Sequence, residues 1–126
     1  MALLSRFAPP VALMALIYFL SSRPHLNTGL GEPDLIGRKI VHMVEYGVLF
    51  LLWLRAFGWR TPVAAAAIVI AYAVTDEIHQ ASVPGRHGKP HDVLIDAVGV
   101  ALAWVLLRAA RSGRLGRLRP TASRAR

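Results

Sequence analysis

Four apolar stretches of roughly bilayer-spanning length occupy most of this 126-residue chain, and they leave it few ways to fold. A hydrocarbon core about 30 Å thick needs ~20 helical residues to cross it. Inside lipid every backbone N–H and C=O must be satisfied within the protein, so such stretches become helices. The first runs from about Ala2 to Ser22 and the second from about Arg38 to Phe57. The third runs from Pro62 to about Ala81 and the fourth from Asp92 to about Leu107. The expected fold class is therefore all-α, a polytopic membrane protein with four transmembrane helices in a bundle. Composition agrees, with 55% hydrophobic residues, 17% charged residues and a mean hydropathy of +0.45. Soluble domains average about 25% charged residues. The size allows one domain.

The connecting segments carry turn chemistry. Arg23 to Gly37 is rich in Pro, Gly and Asn, and Asp34 or Gly37 is the expected cap of the second helix. Pro62 suits the first position of the third helix. Trp53, Phe57 and Trp59 gather where an interfacial aromatic belt belongs. A cleaved leader is the competing reading of the first stretch, because Arg6 precedes an apolar core of about ten residues. No small-x-small cleavage site follows, so the stretch is read as a retained helix, with Pro9-Pro10 near its start. Residues 1–111 are read as the membrane domain and 112–126 as a mobile basic tail.

Charge placement sets the expected orientation. Seven arginines lie between Arg108 and Arg126, just past the fourth stretch. With both termini cytoplasmic, ten of the fifteen Lys and Arg residues fall inside and five outside, as positive-inside topology requires. The net charge of +8 is thus assigned to topology and anionic lipid, not to nucleic acid. Cysteine is absent, which removes disulfides, thiolate catalysis and thiolate metal sites.

The acidic residues mark the opposite end. A charge at the centre of a membrane helix costs about 2.5–3.5 kcal/mol on insertion scales. Yet Asp76 and Glu77 close the third stretch, Asp92 and Asp96 open the fourth, and Lys39, His42, Glu45 and Tyr46 open the second. Lys39, His42 and Tyr46 share one helical face, with Glu45 at its edge. Tyr72, Asp76, His79 and Gln80 share another, with Glu77 turned away by about 100°. Asp92, Asp96, Gly99 and Ala103 form a third stripe whose small half permits close helix packing. Polar faces turn away from lipid, so the three should meet near the outer surface.

Three readings fit such a cluster. In the first, buried charges pair and pin the bundle, with Lys39 and Arg86 neutralising two of Asp76, Glu77, Asp92 and Asp96. The second is a pocket for a polar outer-leaflet ligand, in which His42, Arg86 and Lys89 meet phosphate or carboxylate. The third is a metal site built from His42, Glu45, Asp76, Glu77, His79 and Asp96, but no compact ligand pattern such as H-E-x-x-H is present. No metal or other cofactor is therefore expected. His25, His87 and His91 read as loop residues.

In combination, Lys39-x-x-His42-x-x-x-Tyr46, Asp76-Glu77-Ile78-His79-Gln80, Pro84-Gly85-Arg86, and Asp92-Val93 with Asp96 and Gly99 resemble the VanZ-like family of membrane proteins. Leu20-Ser21-Ser22 resembles that family's end of the first helix. The similarity covers about Ser21 to Gly99. His91, where a small hydroxyl residue is expected, and the long arginine tail depart from the family pattern. The resemblance implies a small helical protein of the bacterial inner membrane, akin to one that lowers susceptibility to the glycopeptide teicoplanin. It carries over motif positions without catalytic roles. The expected function is modulation of the cell envelope. An outward-facing site of Lys39, His42, Glu45, Tyr46, Asp76, Glu77, His79, Gln80, Arg86, Asp92 and Asp96 would bind a lipid-linked or peptidoglycan-related ligand. The expected partners are membrane lipids and such a precursor. The alternatives are a membrane-embedded enzyme acting on a lipid head group, with Asp76, Glu77 or His42 as acid–base, and a structural partner of a membrane complex.

Overall fold

A computed structural model describes residues 2–23, 32–86 and 88–117, with the side chains of 32–34 and 114–117 outside that set. It contains four helices: α1 (Leu3–Ser21), α2 (Glu32–Ala56), α3 (Pro62–Ser82) and α4 (Pro90–Arg117). The four form an up-and-down bundle. α2 packs most extensively on α4 and also touches α1 and α3, while α1 and α4 do not meet among the described residues. α1, α3 and residues 90–113 of α4 are each long and apolar enough to cross a membrane. The more heavily charged α2, like α3, touches each of the other three helices.

Helix bounds differ from expectation in instructive places. α2 begins at Glu32, so Asp34 and Gly37 lie inside the helix and neither caps it. α4 begins at Pro90, which places His91 in the helix and not in a loop. It also continues to Arg117, past the expected boundary at 111. Leu and Arg favour helix there against Gly113 and Gly116, and a helix need not stop where the lipid does. His25, His87 and the tail beyond 117 lie outside the described residues.

Pro9 and Pro10 fall in the second turn of α1. Pro9 has no N–H for the Ser5 carbonyl four residues earlier. Arg55 Nη1 reaches that carbonyl instead, at 3.5 Å, tying α2 to α1. α2 stops in a Schellman motif, with Gly58 N–H bonded to Arg55 O at 2.9 Å and Trp59 N–H to Leu54 O at 2.8 Å. Gly58 takes the required left-handed conformation at φ 67°. Trp59 follows at φ 64°, and the Arg111 guanidinium lies 5.3 Å from the centroid of its ring.

The core runs along the bundle axis. Tyr46, Leu49, Phe50 and Leu54 of α2 meet Ile17 of α1, Ala65, Val69 and Ala73 of α3, and Val100 and Ala103 of α4. Leu94, Val105, Leu106, Val63 and Ile78 point outward, as lipid-facing positions do. α2 and α4 approach at paired glycines. A Cβ on Gly99 would collide with the Met43 carbonyl oxygen, and one on Gly47 would sit 3.0 Å from the Gly99 carbonyl oxygen. Small residues let membrane helices gain dispersion contact and exclude lipid, since hydrophobicity does not drive association there.

Candidate functional site

The same end of the bundle collects the C-termini of α1 and α3 and the N-termini of α2 and α4. A cavity of about 410 Å³ opens there. The register of the helices explains why it is polar. The buried stripe of α3 is apolar at Ala65, Val69 and Ala73, then becomes Asp76, Glu77 and Gln80. α4 presents Asp92 and Asp96 one turn apart before its small, apolar half begins at Gly99.

Beneath the cavity lies a hydrogen-bonded chain. Asp76 is almost fully buried, and its Oδ2 accepts from Tyr46 Oη at 3.3 Å and from Gln80 Nε2 at 2.9 Å. Gln80 Nε2 also donates to Ser21 Oγ at 3.3 Å. Arg86 Nη1 donates to Gln80 Oε1 at 3.3 Å. The chain thus ties α1, α2 and α3 to the loop that carries Arg86.

Among the described residues Arg86 forms no ion pair with an acid, contrary to the expected pairing. Its Nε donates to Arg23 O at 3.0 Å and its Nη2 to Leu20 O at 3.3 Å. It therefore ties the loop to the C-terminal end of α1, where the Leu20 carbonyl also accepts the Arg23 N–H at 3.1 Å. Burial, then the neighbouring Arg38, pulls its pKa below the ordinary guanidinium value, while Asp76 and Glu77 act the other way. Arginine remains charged throughout. Lys39 likewise makes no ion pair among the described residues, and it lines the cavity.

The acid–base contacts that do form involve histidine. His42 Nδ1 lies 3.4 Å from Asp96 Oδ1, and His91 Nε2 lies 3.5 Å from Asp92 Oδ1. At those lengths and alignments neither closes a hydrogen bond, and both carboxylate oxygens are buried without a partner. Glu77, expected to turn away from the polar face, is buried and lines the cavity. α3 packs on α4 as well as on α1 and α2, so it has two inward faces. The Glu77 Oε1 accepts the Lys89 backbone N–H. Gly88 makes that possible, because a Cβ there would lie 2.6 Å from the Glu77 carbonyl oxygen.

Seven of the expected site residues therefore line one cavity: Lys39, His42, Glu77, Gln80, Arg86, Asp92 and Asp96. Tyr46 and Asp76 support it from below. His79 belongs elsewhere, its ring stacked on Tyr18 at 4.4 Å and its Nε2 2.9 Å from Ser22 Oγ. Glu45 is half-buried and does not line the cavity. Arg38 and His91 line it without being among the expected residues. Arg38 could have been found, because it stands four residues before His42 on the same face. His91 could not, because its role depends on where α4 starts.

Among the described residues no three His, Asp or Glu side chains gather closely enough to hold a metal ion. The arginine end is its mirror: Phe7, Trp53 and Phe57 cluster there, beside Arg6 and Arg55. A family model described as VanZ/LLP1 matches residues 5–111. No curated protein and no solved structure matches the chain.

Proposed function

The chain belongs to the VanZ/LLP1 family, a family of membrane proteins, and from that premise we propose that it modulates the cell envelope by binding a polar head group. The head group would belong to a lipid-linked or peptidoglycan-related molecule and would enter the cavity between α2, α3 and α4. The observation that carries this reading is the cavity itself, at 410 Å³ within the usual range for small-molecule sites, with basic and acidic side chains on its wall.

The polar end faces outward and both termini face the cytoplasm in this reading, with four passes. The support is the ten-to-five asymmetry of Lys and Arg, with Arg6, Arg55, Arg60, Arg108 and Arg111 at the opposite end. Because the chain lacks cysteine, single cysteines at Arg86 and Arg114 report topology directly. An impermeant thiol reagent on intact cells is expected to label position 86 and spare 114. The reverse pattern would invert the orientation.

The functional test is drug sensitivity in a host where a glycopeptide reaches its target. Expression of the protein is expected to shift the inhibitory concentration of teicoplanin severalfold. His42→Ala is expected to abolish the shift at equal protein level, and deletion of residues 118–126 to preserve it. Loss of the shift on tail deletion, with the His42 variant fully active, would place the working site on the cytoplasmic side.

A further inference from the structure

The cavity wall carries an unusual set of unused groups. The Asp92 and Asp96 Oδ1 atoms are both buried and accept no hydrogen bond. The Asp96 side chain is only 3% exposed. The two stand at i and i+4, one above the other on the same face of α4. Buried acceptors without donors are rare in folded proteins and call for a partner the protein does not itself supply. His42 and His91 lie beside these oxygens without being aligned to donate. Across the cavity, the Lys39 ammonium has no ion-pair partner among the described residues.

The chemistry of the missing partner follows by comparison. A metal ion is disfavoured, since no three ligating side chains gather among the described residues. A simple anion would meet Arg38, Lys39, Arg86 and Lys89 but also Glu77, Asp92 and Asp96. A simple cation would suit the carboxylates but meet Arg38, Lys39, Arg86 and Lys89. A group that carries both charges suits both walls. A primary ammonium offers three N–H donors, enough for both carboxylates that line the cavity. Lys39 stands one turn before His42 on α2, and His42 faces Asp96, so basic and acidic groups adjoin on the cavity wall.

We propose that this cavity recognises a phosphate-bearing primary amine, the head-group chemistry of phosphoethanolamine, with the ammonium at Asp92 and Asp96 and the phosphate at Lys39. The inference rests on the head-group reading above and specifies its ligand.

The test offers the purified full-length protein, in mild detergent, an equimolar mixture of phosphatidylethanolamine, phosphatidylcholine and phosphatidylglycerol. Native mass spectrometry reads what is retained. Phosphatidylethanolamine should be retained at least tenfold over the other two, because phosphatidylcholine keeps the phosphate but has no N–H donor. Asp96→Asn should lower phosphatidylethanolamine retention to the phosphatidylcholine level and leave the latter unchanged, with Asp92→Asn as the second variant should the first not fold. Lys39→Gln should weaken both lipids alike. Displacement by soluble glycerophosphoethanolamine would assign recognition to the head group alone, and persistence of the adduct would assign it to the lipid. Equal retention of all three lipids, or a preference for phosphatidylglycerol, would overturn the amine assignment and leave the head-group cavity standing. Retention of none would remove both.

Discussion

Gly99→Ala is expected to be the most damaging single-methyl substitution in the bundle. The added carbon would overlap the Met43 carbonyl oxygen and lie 2.9 Å from its carbonyl carbon and Cα. These are backbone atoms, so no rotamer change relieves the clash, and α2 and α4 must separate. Overpacking of this kind costs about 1–3 kcal/mol, and here it also loosens the most extensive interface in the molecule. Gly→Ala within a helix otherwise gains roughly 0.5–1 kcal/mol, so Gly113→Ala provides the control. Gly113 has nothing within 4 Å of its Cβ position. Thermal unfolding in detergent should place Gly99→Ala well below the wild type and Gly113→Ala level with it or above. A Gly99→Ala protein as stable as the wild type would mean that the two helices are not in backbone contact at this point.

Asp76→Ala is expected to be nearly as costly, for a different reason. It removes the acceptor that both Tyr46 Oη and Gln80 Nε2 use. Tyr46 is fully buried, so its hydroxyl has no water to turn to. A stranded buried donor costs about 1–3 kcal/mol. Gln80 retains Ser21 and is hurt less. The coupling can be measured. Tyr46→Phe removes the stranded donor, so the double variant should melt above the sum of the two single effects, by an interaction of roughly 0.5–3 kcal/mol. Strict additivity would mean that the 3.3 Å contact carries no energy. Asp96→Ala should be milder than the pinning reading of the sequence implies. Neither Lys39 nor Arg86 pairs with it, and only the misaligned His42 contact at 3.4 Å is lost.

The class of the protein, its helices and the convergence of its polar faces are all legible in the chain itself. The physical reason is that lipid leaves a backbone no option but the helix, and charges at that depth must face inward. Helical periodicity then places Lys39 with His42, and Asp92 with Asp96, through their spacing along the chain. Gly58, Pro62 and the Asp-Glu pair at the end of α3 likewise announce local structure through residue type alone.

Which polar group meets which is a different matter, because it depends on the rotation and depth of four helices against one another. Sequence spacing turns Glu77 about 100° from the face of Asp76, and contact with a second neighbour makes that side of α3 inward too. His79 carries the same spacing as Asp76 but turns to Tyr18 and Ser22, since α1 fills the space beside it. Arg86 looks like a partner for carboxylates, and only the packed end of α1 reveals that its donors satisfy Leu20 and Arg23 carbonyls. The glycine contact between α2 and α4 fixes the separation of those helices. With that separation set, His42 of α2 falls just short of a good bond to Asp96 of α4, and the Asp92 and Asp96 carboxylates come to line a cavity that no local rule could have foretold.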